Sequence, residues 1–310
     1  MSTSISTQLF VGLGPLNREL VDPYLAGHQQ LALDPTEEQL AVAEAAIVRA
    51  AFTVDAAMLD RMPALKVLAR TGVGTDLVDV AEAHRRGIPV VITPGSNTVS
   101  VAEGVFAHLL SLVKRLPTLT TLVRSGRWSE RGGVTVGDLE GATLGIVGFG
   151  RIGRKVAQIA EAFDLNVRAY DPYAEIPDRY RCASVDEVLT SSDFITLHAP
   201  LTAGNHHLID EVRLAAMRPG AILVNCSRGA LIDLDAAHAA LRAGQLAGLG
   251  LDVFDPEPPQ HHPVFDHANT VLSPHLMGFT DRAMALTIRA AVEGAVAVLD
   301  GRAPAAVAAP

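Results

Sequence analysis

Short β-branched runs alternate with longer amphipathic stretches over almost the whole chain, and this alternation restricts the fold more than any other feature. In the first third, "QLFVGL", "QLALD", "AAIVRA", "LKVLAR" and "PVVITP" are separated by "TEEQLAVAE", "VDAAMLDRM" and "LVDVAEAHRRG". Near-continuous apolar runs of strand length suit strands covered on both faces, and the stretches between them suit helices that cross back over a parallel sheet. The same alternation resumes at "ATLGIVG" and continues to "TVLSP" near residue 274. The pattern predicts an α/β chain with two doubly wound parallel-sheet domains and a cleft between them.

The boundaries follow from what interrupts the alternation. A long helical stretch begins near Val99 with Glu103 in its first turn, and Pro117 should kink or restart it. "ERGGVTVGDLEG" reads as a loop or short hairpin. The last helical pattern, Asp281 to Leu299, has no strand after it and is expected to pack back on the first domain. One domain therefore takes residues 1–97 and 279–310, and the other takes 98–278. At 310 residues, 49% of them hydrophobic, the chain can fill two cores.

Composition removes several classes of function. A net charge of −9 without a Lys/Arg cluster disfavours a nucleic-acid surface. No run approaches the ~18–20 apolar residues of a membrane span, and "MSTSISTQLFVGLG" lacks the basic start of a signal peptide. Cys182 and Cys226 have no metal-ligand spacing, so a reducing, cytoplasmic setting with no disulfide and no metal is expected. The Ala/Pro-rich tail "GRAPAAVAAP" is expected to fray.

The strongest local signal is "TLGIVGFGRIGRKVAQIAEAFDLNVRAYDP". Gly148, Gly150 and Gly153 give G-x-G-x-x-G between a strand pattern and a helix pattern. Such glycines allow a tight turn and the close approach of a pyrophosphate, which then sits on the helix N-terminus. Asp171 ends the next strand, 21 residues beyond Gly150, where a carboxylate accepts from a ribose hydroxyl and repels a 2′-phosphate. That favours NAD over NADP. "VGLGPL" and "RTGVGTD" also pair glycines after strands without completing the pattern, although the amides of "RTGVG" are a candidate anion nest.

Three ionisable residues follow three successive strands. Arg228 stands in the seam after "AILVN", Glu257 lies in "DVFDPEPP", and His275 lies in "TVLSPH". The carboxyl ends of open α/β sheets are where ligands bind, so the three can converge on one crevice. Reducing a 2-oxo acid needs a hydride at the carbonyl carbon and a proton at its oxygen. A histidinium can supply the proton, a neighbouring carboxylate stabilises that imidazolium, and an arginine neutralises the substrate anion. Arg228, costly to desolvate alone, would take a substrate anion as its partner.

In order and spacing, "GIVGFGRIG", "YDPY", "LHAPLT", "MRPGAILVNCSRGALID", "GLGLDVFDPEP" and "TVLSPH" resemble the D-isomer-specific 2-hydroxyacid dehydrogenases. "RTGVGTDLVDVAEAHRRGIPVVITPGSNTVSVAE" is similar to that family's substrate-side segment, especially in its phosphoglycerate dehydrogenase-like branch, and the likeness spans about residues 45–290. The resemblance implies a Rossmann NAD-binding domain at 98–278, a flavodoxin-like substrate-binding domain from the remainder, and a homodimer built through the cofactor domain, with Val99–Trp128 as helix and arm. It implies Arg228, Glu257 and His275 as catalytic residues. Asp252 matches the nicotinamide carboxamide partner, and Arg151, Ile152 and Asp171 match contacts to the pyrophosphate and adenosine ribose. His198, Pro200, Cys226, Ser227 and Gly278 match loops lining the dinucleotide, and Val73 and Gly74 match the backbone receiving the substrate carboxylate.

Arg49 is a further candidate for a distal phosphate or carboxylate, although Ala50 and Ala51 follow it where phosphate-handling relatives often have polar residues. Phe279 also departs from many relatives, and no amino-acid-binding regulatory domain follows residue 310, so feedback control is expected to be absent. Two rival readings carry different chemistry. A formate-dehydrogenase-like reaction is disfavoured because that branch pairs its histidine with glutamine rather than a residue like Glu257. An NAD-sensing corepressor is disfavoured by the acidic surface and the Arg/Glu/His trio.

Overall fold

The computed structural model describes residues 7–309. Met1–Ser6, part of the segment read as lacking a leader signal, and Pro310 lie outside them. The chain divides into two compact units, Met1–Asn97 with Thr280–Pro310, and Thr98–Phe279.

In the first unit, β1 (Gln8–Leu13), α1 (Arg18–Val21), β2 (Gln29–Leu33), α2 (Glu37–Val42), β3 (Ala45–Val48), α3 (Ala56–Asp60), β4 (Val67–Arg70), α4 (Val80–Arg85) and β5 (Val90–Val91) follow in order. The strands pair in parallel in the order β2-β1-β3-β4-β5, a doubly wound arrangement. Successive residues of β3 serve opposite faces. Ala46 and Val48 enter a core with Val11, Leu40, Leu59 and Leu68. Ala45 and Ile47 enter another with Phe10, Val67, Ile288, Val292 and Ala295. The last three belong to the helix Asp281–Leu299, so the final helix covers one face of this sheet. Thr36 and Gln39 form a capping box on α2, and Asp55, Asp79 and Thr280 cap α3, α4 and the final helix.

The tail corrects an expectation. Val307 forms an antiparallel bridge with Val91, and the Ala308 N–H donates to the Val90 carbonyl at 2.8 Å. Its composition suggested fraying, but β5 is an edge strand with unpaired backbone groups, and the tail satisfies them.

The second unit runs α5 (Thr98–Val113), α6 (Leu116–Arg124), β6 (Thr143–Val147), α7 (Arg151–Ala162), β7 (Asn166–Tyr170), α8 (Val185–Ser191), β8 (Phe194–Leu197), α9 (Glu211–Ala216), β9 (Ala221–Asn225), α10 (Leu234–Arg242), β10 (Leu246–Leu251) and β11 (Thr270–Leu272). Its parallel order is β11-β10-β9-β8-β6-β7. A single parallel bridge, Ala169 to Arg181, adds a vestigial strand beside β7. The order then reads as the dinucleotide-binding one with an added outer strand, reversing at β6. The long helical stretch does restart at Pro117. Arg115 takes a φ of 52°, and the proline falls in the first turn of α6, where its missing N–H costs little. "ERGGVTVGDLEG" contributes to a short 3₁₀ helix, Trp128–Gly133, rather than to a hairpin.

Candidate active site

The glycine motif fulfils three separate geometric needs. Gly148 has a φ of 96°, and a Cβ there would lie 2.6 Å from the His198 carbonyl carbon. A Cβ at Gly153 would lie 2.2 Å from the Gly148 carbonyl oxygen, so only glycine lets α7 approach the turn this closely. Gly150 is the N-cap of α7, has no side chain to cap it, and a Cβ there would meet nothing within 4 Å. The first amides of α7 are thus left for an anion. Arg151 is exposed at its first position, and half-buried Ile152 packs partly against the core.

Asp171 is held over this turn by backbone amides. Its Oδ2 accepts from Phe149 N–H at 2.7 Å, and Oδ1 accepts from Tyr173 and Ala174 at 2.8 and 2.9 Å. Burial raises the carboxyl's pKa, but these three amides and the Arg154 charge outweigh it and leave the group below its ordinary value. An ionised acceptor beside an uncapped helix N-terminus fits a dinucleotide with a free ribose hydroxyl. Asp171→Asn is expected to weaken NADH binding by about tenfold and to narrow the preference over NADPH, as read by quenching of intrinsic fluorescence. Equal affinities for both cofactors in the wild type would sink this role.

The strand-end loops interlock beside the motif. His198 follows β8, with Nε2 3.0 Å from the Thr196 hydroxyl and Nδ1 buried without a hydrogen-bond partner. Desolvation pushes its pKa down to about 3, so the ring is neutral. Exposed Pro200 accepts from the Asn205 side chain at 2.7 Å. Ser227 Oγ donates to the Ala199 carbonyl at 2.5 Å, tying the loop after β9 to the loop after β8. Buried Cys226 carries a free thiol, its pKa pushed up by burial and then by the charge of Asp252.

Arg228 is half-buried, and its position depends on a residue not singled out from the sequence. Asn225, with no exposed surface, donates from Nδ2 to the Arg228 carbonyl at 2.8 Å and accepts the Ser227 N–H at 3.0 Å. The Arg228 guanidinium donates to the Ser227 carbonyl at 2.8 Å. Gly229 is likewise essential to the packing. A Cβ there would lie 2.0 Å from the Phe254 carbonyl carbon, so the arginine loop rests directly on the backbone leading to Glu257. A buried Asn closing an apolar strand and a glycine directly after a seam arginine were the available sequence signals.

Glu257 and His275 meet. Glu257 Oε2 is 2.8 Å from His275 Nδ1, while Oε1 accepts from Phe254 N–H at 3.0 Å. Burial raises the Glu257 pKa, but the His275 and Phe254 hydrogen bonds and the charges of His275 and Arg228 leave it below the usual carboxylate range. His275 itself has a φ of 54°, and Phe279 stands edge-on to its ring, centroids 6.1 Å apart. Gly278 lies in the turn between them. Asp252, 2% exposed, accepts from this same segment.

In the first unit, Arg49 follows β3. Its guanidinium is 3.5 Å from the Thr71 hydroxyl and 3.6 Å from Met284 Sδ, and burial lowers its pKa. Val73, 48% exposed, and Gly74 lie in the turn after β4. The whole of "RTGVG" does not form a nest, because the Thr71 and Gly72 amides donate to the Val48 and Arg70 carbonyls.

Residues 106–277 match the D-isomer specific 2-hydroxyacid dehydrogenase, NAD binding domain family. The chain belongs to this family. This 2-hydroxyacid dehydrogenase family member is 41% identical over 256 residues to a glyoxylate reductase from Thermococcus litoralis, covering 79% of this chain and 77% of that one. It is 39% identical over 252 residues to the D-3-phosphoglycerate dehydrogenase of Bacillus subtilis, covering 80% of this chain but 48% of that one. It thus spans about half the length of that phosphoglycerate dehydrogenase. The crystal structure of a D-lactate dehydrogenase from Aquifex aeolicus complexed with NAD and lactic acid superposes with a TM-score of 0.82 at 30% identity, covering 95% of this chain and 96% of that one. The second unit of this family member therefore carries an NAD-binding domain.

The buried groups make acid stability a test of the site's packing. His198 has a folded pKa of about 3, against an unfolded value near 6.5, so the unfolded chain binds its proton first. Stability is then lost as pH falls below about 6.5, and the lowered carboxyls Asp171 and Glu257 add losses at still lower pH. Melting temperature against pH should fall less steeply from about pH 6 to 4 in His198→Gln than in the wild type. Parallel curves would show that His198 is not buried neutral.

Proposed function

We propose that the chain is an NAD-dependent oxidoreductase interconverting a D-2-hydroxy acid and its 2-oxo acid. The observation that carries this reading is the 2.8 Å pairing of His275 Nδ1 with Glu257, within the charge field of Arg228, on the unit that bears the glycine motif. When bound, the nicotinamide supplies or accepts the hydride. Gly148, Gly150, Arg151, Gly153 and Asp171 would hold its pyrophosphate and ribose, and Asp252 its carboxamide.

The chain's own groups manage charge and proton. Because Nδ1 of His275 faces Glu257, Nε2 is left to face the substrate oxygen. In reduction it gives a proton to the carbonyl oxygen as the carbon gains the hydride, and in oxidation it takes the hydroxyl proton. Glu257, ionised by its hydrogen bonds, stabilises the imidazolium and fixes the tautomer. Arg228 binds the substrate's carboxylate or carbonyl oxygen and offsets the developing alkoxide. In the first unit taken by itself, the turn at Val73 and Gly74 and the Arg49 guanidinium are the groups that suit an anion.

The glyoxylate reductase and D-3-phosphoglycerate dehydrogenase relatives support glyoxylate, or 3-phosphoglycerate and its 2-oxo acid, as substrates. A homodimer through the second unit is supported by Leu116, Val123 and Trp128, which are 50%, 61% and 61% exposed along α6 and the 3₁₀ turn after it. No helix among the described residues is long and apolar enough to cross a membrane, and the free thiols of Cys182 and Cys226 suit the cytoplasm.

The test is NADH oxidation, followed by absorbance, across glyoxylate, hydroxypyruvate, phosphohydroxypyruvate, 2-oxoglutarate and bulky 2-oxo acids, with NADPH as a control. Turnover of at least one small 2-oxo acid with NADH is expected, and a strong preference for phosphohydroxypyruvate would support Arg49 as a phosphate ligand. NADH binding without turnover of any of them would overturn the reading in favour of dinucleotide sensing.

A further inference from the structure

The buried Asp252 carboxylate gathers three donors from the segment that follows β11. Oδ1 accepts the Ser273 hydroxyl at 2.6 Å and the Leu276 N–H at 3.0 Å, and Oδ2 accepts the Met277 N–H at 3.2 Å. His275 sits between these anchors with its φ of 54°, a left-handed conformation that a non-glycine residue keeps only when its surroundings impose it. Its own N–H donates to the Ser273 carbonyl at 3.0 Å, closing the turn from the other side.

Behind Ser273 stands a second buried histidine. His108, on α5 and 2% exposed, has Nε2 2.9 Å from the Ser273 hydroxyl oxygen. Ser273 has one hydroxyl hydrogen and gives it to Asp252, so Nε2 of His108 is the donor in this contact. Burial lowers the His108 pKa against the opposing pull of the Asp252 charge and the Val271 carbonyl, which agrees with a neutral ring. Glycines bring the helix this close. A Cβ at Gly250 on β10 would lie 3.0 Å from the His108 Cβ and Nδ1, and a Cβ at Gly104, one turn earlier on α5, would lie 2.5 Å from the Met277 Cβ.

We propose that His108 and Ser273 are positioning residues for His275. His108 fixes the Ser273 hydroxyl, Ser273 completes the Asp252 clamp, and the clamp holds the backbone conformation that sets the His275 ring against Glu257. The proposal deepens the dehydrogenase reading, since it rests on His275 being the acid and base. Neither positioning residue touches the reacting atoms.

Two matched pairs of variants separate the hydrogen bonds from packing. Ser273→Val and Ser273→Thr have similar volume, but only threonine keeps the hydroxyl. His108→Leu and His108→Gln fill similar space, but only glutamine keeps a donor. The readout is the His275 ring signal in histidine-labelled protein by NMR, identified by its loss in His275→Gln. It needs no substrate, so it stands apart from the question of what is turned over. In Ser273→Val and His108→Leu this signal is expected to shift or broaden, and kcat to fall on the order of 10- to 100-fold with less change in KM. Ser273→Thr and His108→Gln should restore both. His108→Leu decides the matter if Ser273→Val does not fold. An unmoved His275 signal in the folded donor-less variants overturns the proposal. A shifted signal in a chain that reduces no 2-oxo acid supports the clamp and removes the dehydrogenase reading alone.

Discussion

Replacing His275 by alanine is expected to lower kcat for 2-oxo acid reduction by about 10²–10⁴-fold, with NADH affinity close to that of the wild type. The size follows from what the ring does. Without an acid near the carbonyl oxygen, the alkoxide that forms must take its proton from water, while the cofactor's binding groups at Gly148–Gly153 and Asp171 are untouched. Glu257→Gln should cost less, because an amide can still hold Nδ1 of His275 but cannot stabilise the imidazolium charge across the 2.8 Å contact. Steady-state kinetics in both directions, with NADH titrations, check these points. A His275→Ala variant that keeps kcat within about tenfold of the wild type would remove His275 from the reaction.

Gly229→Ala is expected to lower kcat/KM by about 100-fold or more and to cost about 1–3 kcal/mol of stability. The added methyl would meet the Phe254 carbonyl carbon at 2.0 Å and its oxygen at 2.3 Å, and these backbone atoms cannot rotate away. One of the two loops has to move. On one side the displacement carries Arg228, held through Asn225, and on the other it carries Phe254, whose amide holds Glu257. A single methyl therefore separates the substrate's arginine from the histidine's carboxylate. Gly204→Ala serves as the control, since a Cβ there meets nothing within 4 Å. Denaturant unfolding and initial rates on the two variants decide it. Wild-type kcat/KM in Gly229→Ala would mean that the loops can part without consequence.

Much of the fold was legible because strand burial and helix amphipathicity are written locally. "AAIV" and "AILVN" are apolar at every position or nearly so, which suits a strand covered on both faces, and the structure buries them so. The motif at Gly148–Gly153 was legible from its fixed spacing between a strand and a helix pattern, and Gly153 answers to Gly148 five positions before it, whereas the neighbour that Gly148 makes room for, His198, comes from another strand end. The tail was not. Its Ala/Pro composition describes a segment with little of its own to bury, whereas its order comes from the open edge of β5, more than two hundred positions away in sequence.

Which segments become strands and helices, where the dinucleotide turn lies, and that Arg228, Glu257 and His275 each follow a strand can be read along the chain, because periodicity and turn chemistry act over a few residues. That Gly229 rests on the Phe254 carbonyl and that His108 reaches Ser273 across 165 positions of chain came from the packing of distant elements. Those contacts depend on how β9, β10 and β11 align in one sheet and how closely α5 lies against it. Such distances are set by the packing of whole elements and leave no periodic trace in the residues that meet there.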